Sequence, residues 1–201
     1  MLIPFMRFFN KYKLFLDCAY KHLNIVLLDF KTNTVVDQLT IPVQQNLTEL
    51  AVYHLEKLLK KNKVRNNTVR QFYVTTGPGS FTGQRVGAII AKTWCTVNPN
   101  CQLFALNSLR LQIPYGCGIS KISAGNEKNY CGLFTETTSE IALLAKPDFV
   151  KLCKANTELP LYENFENIDS IEELFLNNIE RFELVENPQN LELLYLKDPV
   201  N

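Results

Sequence analysis

The segment Gly77-Pro-Gly-Ser-Phe-Thr-Gly83-Gln-Arg-Val-Gly87 constrains this chain more than any other stretch. It follows the strand-like run Gln71–Thr76 and opens an apolar-periodic run that continues to Val97, so it reads as a strand–turn–helix junction. Glycines at such a junction permit positive φ, and the amides of a helix start can face an anion. The spacing nevertheless excludes the common phosphate and nucleophile loops. A Walker A loop wants Gly and then Lys where this chain has Thr82 and Gly83, and a G-x-G-x-x-G fingerprint has one residue fewer before its last Gly. A G-x-S-x-G elbow fails because Gly79 directly precedes Ser80 and Thr82 occupies the last position.

The surrounding pattern predicts an α/β fold. Lys13–Asp17, Asn24–Phe30 and Thr34–Ile41 read as three strands, the last two joined by a turn at Thr32-Asn33. A helix follows to about Lys61, with Asn46 or Thr48 as its N-cap. Gln71–Thr76, the helix to Val97 and Gln102–Leu106 complete a first lobe over residues 13–106. A smaller lobe over 107–201 is expected, with a hairpin of 129–135 and 140–145. A helix from Ser170 to Arg181, capped by Ser170 or Asp169, and a closing run Leu191–Leu196 complete it. Residues 1–12 read as an N-terminal extension.

Composition narrows the class. With 201 residues, 46% apolar and 20% charged, the chain can bury a real core, which excludes disorder and collagen-like repeats. No apolar run reaches the roughly 20 residues of a membrane span, and the greasy start lacks the order of a signal peptide, so a cytoplasmic, membrane-free protein is expected. The six cysteines form no CxxC, and with only His22 and His54 beside them no metal site is expected and reduced thiols are the default. Charge is unevenly spread: residues 1–157 carry 19 Lys and Arg against 9 acids, and residues 158–201 carry 2 against 11. Such a split fits either a docking surface or a solvated acidic helix near basic neighbours.

The glycine segment closely resembles the G-P-G-S-F-T-G-x-R-x-G signature of the TsaB (YeaZ) family, and weaker segments agree in order. Leu14-Phe-Leu-Asp-Cys-Ala19 is similar to the family's L-L-D-T-S opening, and Leu47-Thr-Glu49 lines up with its H-S-E. Ser123-Ala-Gly-Asn-Glu-Lys-Asn-Tyr130-Cys-Gly-Leu-Phe134 is similar to D-A-R-x-x-x-x-Y-x-G-L-Y, and Tyr195-Leu-Lys197 to a terminal Y-L-R. The resemblance implies two lobes of the actin/Hsp70/sugar-kinase-like (ASKHA) fold, each with a mixed sheet and flanking helices. It further implies a non-catalytic scaffold subunit for threonylcarbamoylation (t6A) of the adenosine next to the anticodon in tRNAs that read codons starting with A. Such a subunit would dimerise with the catalytic TsaD transferase, meet a TsaE-like ATPase, form a homodimer without them and touch tRNA indirectly. It would have no activity alone and no tightly bound cofactor, with the interface with its partner as the place for any ATP or ADP. The family positions matched by Asp17–His22, Leu47 and Ser123 lack the phosphate-holding Gly and Thr/Ser, the His and the acid, which argues against the alternative, an active small ATPase or kinase of the same fold. A peptidase would need a Ser/His/Asp or HExxH arrangement that the sequence does not offer.

Candidate site residues divide into two sets. Ser80, Thr82, Gly83 and Arg85 are candidates for an interface nucleotide; Ser80 and Thr82 suit helix capping better, and Arg85 equally suits a solvent-facing position. For partner binding, at 100° per residue Leu47, Leu50, Ala51, Val52, Leu55, Leu58 and Leu59 cover an arc of about 200°, wider than the roughly 100° needed to cover a sheet. The expected partner-facing residues are therefore Leu55, Leu58 and Leu59 with Gly83, Val86, Gly87 and Ile90 on the second helix. Gly83 and Gly87, four apart on one helical face, predict close approach by another helix, of this chain or of a partner. Lys57, Lys60, Lys61, Lys63, Arg65 and Arg70 form a basic run suited to tRNA phosphates or to a solvated helix end.

Overall fold

A computed structural model describes residues 11–43, 46–166 and 170–197. The expected extension at 1–12 lies outside the described residues except for Lys11 and Tyr12, and Tyr12 already opens the first strand. Strands β1 (Tyr12–Asp17), β2 (His22–Asp29) and β3 (Val35–Pro42) form an antiparallel meander. Its second turn is organised by Asp29, whose Oδ1 accepts from the amides of Lys31 and Thr32, while Asn33 sits at φ 56°. Helix α1 (Leu47–Lys61) then crosses to β4 (Val69–Thr75), which lies parallel to β1, and α2 (Phe81–Val97) crosses to β5 (Gln102–Leu106), parallel to β4.

The alternation of side chains along β1 explains the layering. Leu14 and Leu16 face one side and join Ile25, Leu27, Phe72 and Val74 under α1 and α2. Phe15 faces the other side with Val26, Leu28 and Tyr73, where it stacks on Phe175 at 4.5 Å between ring centroids. Phe175 belongs to α5 (Ile171–Asn178), so the acidic helix near the C-terminus is a cover for the first sheet. Ser170 caps it by accepting from the Glu173 amide; Asp169, the alternative cap, lies outside the described residues.

After a short helix α3 (Ser108–Leu111), a second sheet forms from β6 (Gly118–Gly125), β7 (Lys128–Phe134), β8 (Ser139–Ala145) and, beyond helix α4 (Lys146–Ala155), β9 (Leu161–Glu163). Its order is β8-β7-β6-β9, with β9 parallel to β6 and the rest antiparallel. The expected hairpin is β7–β8. β6, α4 and β9 correct the sequence reading, which left those stretches without structure. The reading also assigned the whole of 107–201 to the second lobe. Instead β10 (Glu183–Val185) pairs antiparallel with β5 at the edge of the first sheet, and Leu191 enters the first core. Apolar spacing cannot foresee this return, because a three-residue strand is defined by the edge it pairs with.

Candidate partner-binding site

The site is built where the β1–β2 turn meets the glycine loop before α2. Asp17 ends β1 and is almost fully buried. Its Oδ1 accepts from the Ala19 amide at 2.9 Å and the Thr75 hydroxyl at 2.5 Å, and its Oδ2 accepts from Asn24 Nδ2 at 3.0 Å. Both carboxylate oxygens are thus committed to holding the turn against β2 and β4. Asp17→Ala removes the acceptor of three donors, so it should lower stability by about 2 kcal/mol, read as a reduced midpoint in urea with an unchanged slope. An unchanged midpoint would contradict this structural role.

The loop Gly77–Ser80 closes on that turn. The Ser80 amide donates to the Ala19 carbonyl at 2.7 Å. A Cβ on Gly79 would run into the Ala19 carbonyl oxygen, and a Cβ on Gly83 into the Cys18 carbonyl oxygen. These two glycines exist to admit backbone, and the concave side of the loop is filled by the chain's own carbonyl oxygens. Gly77 sits at φ 88°, and the Ser108 amide donates to its carbonyl at 2.6 Å. Ser80 Oγ accepts from the Gly83 amide at 3.2 Å, which gives it the capping role. Ser80, Thr82 and Arg85 are exposed and Gly83 is buried, so three of the four candidates for an interface nucleotide remain on the surface.

The turn also reaches the second lobe. Tyr20 Oη donates to Asn164 Oδ1 at 3.2 Å, and the same oxygen accepts from the Ser123 amide at 2.9 Å. Ser123, where the resemblance expects an acid, therefore contributes its backbone to an interlobe link. A cleft of about 520 Å³ opens beside this link, lined by Asp17, Tyr20, Lys21, His22, Gln38, Phe165 and Glu172 among others.

The expected partner-facing residues sit mostly inside. Leu55, Leu58, Leu59, Gly83, Val86 and Gly87 are buried, and Ile90 is half-buried. Gly87 faces β4, where a Cβ would meet Val74 Cγ2 at 3.5 Å. The glycine face therefore packs on the β1–β2 turn and on β4 of the same chain, which corrects the expected helix–helix approach. The wide arc of α1 is divided: Leu47, Ala51, Leu55, Leu58 and Leu59 are buried, whereas Val52 is 52% exposed beside exposed Tyr53.

The surface of α2 is also rearranged. Lys92 and Thr96 are met by the returning C-terminal segment: Lys92 Nζ donates to the Gln189 carbonyl, and Gln189 Nε2 to Thr96 Oγ1, each at 3.0 Å. The line that stays open is Phe81, Arg85 and Ile89, one helical turn apart. Ile89 is 63% exposed, the Arg85 guanidinium lies 4.6 Å over the Phe81 ring, and Phe81 packs on Tyr195 at 5.3 Å. Sequence reasoning missed Phe81, Ile89 and Tyr195, although the i, i+4, i+8 spacing around Arg85 was there to be read. In the basic run Lys60 pairs with Glu56 at 2.6 Å and Lys61 with Asp37 at 2.8 Å, while Lys57 lies over the Tyr53 ring. These pairings favour a solvated helix end.

Residues 42–188 match the family TsaD, tRNA N6-adenosine threonylcarbamoyltransferase. The chain is 66% identical over 196 residues to the uncharacterized protein MG208 of Mycoplasma genitalium, covering 98% of this chain and all of that one. Among solved structures, an uncharacterized protein with similarity to peptidase YEAZ from Pseudomonas aeruginosa superposes with a TM-score of 0.68 at 15% identity, covering 93% of this chain and 100% of that one. YeaZ from Pseudomonas aeruginosa gives 0.64 at 14% identity, covering 92% and 100%. The two mixed sheets with flanking helices are thus an actin/Hsp70/sugar-kinase-like fold in its short YeaZ form. The chain belongs to the TsaD family with the fold of YeaZ, and its role is in the threonylcarbamoyladenosine modification of tRNA.

Proposed function

We propose that this chain is a non-catalytic scaffold of t6A formation next to the anticodon, acting by dimerising with a catalytic TsaD-like subunit in the cytoplasm. The observation that carries this reading is the filled loop. The Gly79 and Gly83 surfaces are packed by the carbonyls of Ala19 and Cys18, and Asp17 is consumed by three donors. A kinase or ATPase of this fold needs that same loop and acid for phosphate and metal, which counts against the alternative. In this picture the TsaE-like ATPase joins the pair, a homodimer forms in their absence, and tRNA is met through the partner. ATP or ADP belongs at the junction with the partner, within reach of Thr82 and Arg85. No helix among the described residues is long and apolar enough to cross a membrane.

The test is reconstitution. With tRNA and threonylcarbamoyl-AMP the purified chain should give no modified adenosine and, with ATP and magnesium, no turnover. Adding it to the TsaD-like subunit should raise modification at least tenfold over that subunit alone. Modification by the chain alone would overturn the scaffold reading.

A further inference from the structure

At the far end of α2 from the glycine loop, two of the six cysteines meet. Cys95 lies in the last turns of α2 and Cys101 directly precedes β5. The tight turn between them is closed by the Asn98 amide on the Trp94 carbonyl at 3.0 Å and the Cys101 amide on the Asn98 carbonyl at 2.8 Å. That turn brings Cys95 Sγ and Cys101 Sγ to 3.8 Å, as thiol donor and acceptor. Both residues are buried, yet both line a groove of about 540 Å³ between the end of α2 and the returning segment Leu184–Gln189. Small solutes can enter such a groove; the thiol of a folded protein cannot.

We propose that Cys95 and Cys101 form a modification site, a buried dithiol that peroxide converts into an intramolecular disulfide. The step balances as two thiols and one hydrogen peroxide giving one disulfide and two waters. One sulfur attacks a peroxide oxygen, the O–O bond breaks, and the sulfenic acid forms with loss of water. The second sulfur then displaces the remaining hydroxyl as water, and the S–S bond forms while both sulfurs are oxidised. The two sulfurs need to close by less than 2 Å to reach disulfide bonding distance. Gln189 ties the end of α2 through Lys92 and Thr96, so the smaller 98–101 turn is the part that shifts as the sulfurs close.

The hydrogen bond to Cys101 and burial hold the Cys95 thiol well above its ordinary range. Because the thiolate is the reactive form, oxidation should be slow at pH 7 and accelerate about tenfold per pH unit towards pH 9.

The experiment treats the full chain with hydrogen peroxide, unfolds it, alkylates remaining thiols and maps the peptides by mass. The expected result is a linked 95–101 pair with a loss of two mass units, four alkylated cysteines, and a melting midpoint raised by about 5 °C. Cys101→Ala, carrying the same treatment, should leave Cys95 alkylated or as a sulfenic acid and abolish the shift. If Cys95 and Cys101 are both alkylated while Cys117 or Cys153 has been oxidised, or if linked chains appear instead, the proposal is overturned. The wild-type map decides this even should the variant fail to fold.

Discussion

Gly83→Ala should melt far below the wild type, while Gly87→Ala should melt at or slightly above it. Both glycines lie inside α2, four residues apart, where alanine is favoured over glycine by roughly 0.5–1 kcal/mol. Helix propensity alone therefore predicts stabilisation at both. Packing separates them. At Gly83 the new methyl would occupy the space of the Cys18 carbonyl oxygen, a backbone atom that cannot rotate away. The β1–β2 turn cannot retreat either, because Asp17 anchors it through Thr75 and Asn24, and Tyr20 ties it to Asn164. Overpacking against fixed backbone costs on the order of 3 kcal/mol, and for a chain of this length that corresponds to a midpoint lowered by about 10 °C. At Gly87 the methyl meets only Val74 Cγ2 at an ordinary 3.5 Å. A larger side chain there would reach into β4, so Gly87→Leu should destabilise the fold itself and is not a clean probe of an interface. Differential scanning calorimetry of the two alanine variants checks the contrast. Equal midpoints would mean that the loop does not rest on the turn.

That contrast also marks what the residues revealed and what they hid. The spacing of Gly77, Gly79, Gly83 and Gly87 announced a tight junction, but glycine says only that something comes close. What comes close is the carbonyl pair of Cys18 and Ala19, some sixty residues away in sequence, and no local pattern carries that pairing. Regular elements with their own signature were legible: β5 has the expected bounds Gln102–Leu106, and α1 and α2 end where expected at Lys61 and Val97. Elements without one were not. In α4 only Phe149 is fully buried, with Leu152 and Cys153 half-buried at i+3 and i+4, so the apolar stripe spans a single turn; its start at Lys146-Pro147 was the further signal. In β6 the sequence Gly-Ile-Ser-Lys-Ile-Ser-Ala-Gly buries Ser120 as well as Ile119 and Ile122, which blurs the alternation. The wide apolar arc on α1 had a similar fate: most of it is used by the chain's own sheet, and Lys92 and Thr96 on α2 are where the C-terminal segment lands.

What remains open on α2 defines the second large effect. Ile89→Asp should abolish co-elution with the TsaD-like subunit, weakening binding by about 30-fold or more, and leave the melting midpoint within about 2 °C. Ile89 is 63% exposed and follows Phe81 and Arg85 along one line of the helix, with Tyr195 extending the apolar surface beside Phe81. An aspartate on that line costs the isolated chain little, since substitutions at exposed positions usually stay within about 0.5 kcal/mol. In a complex the same carboxylate would be desolvated against an apolar partner surface, where residues at the centre of an interface typically contribute 2 kcal/mol or more. Arg85 should behave differently. Its guanidinium already has the Phe81 ring, so Arg85→Ala removes a contact from a surface stack and should weaken binding more gently, by about threefold to tenfold. Isothermal titration of the three proteins against the TsaD-like subunit, with melts of each alone, separates binding from folding. Wild-type affinity for Ile89→Asp would move the interface off α2, and the exposed pair Val52 and Tyr53 on α1 would be the next surface to alter.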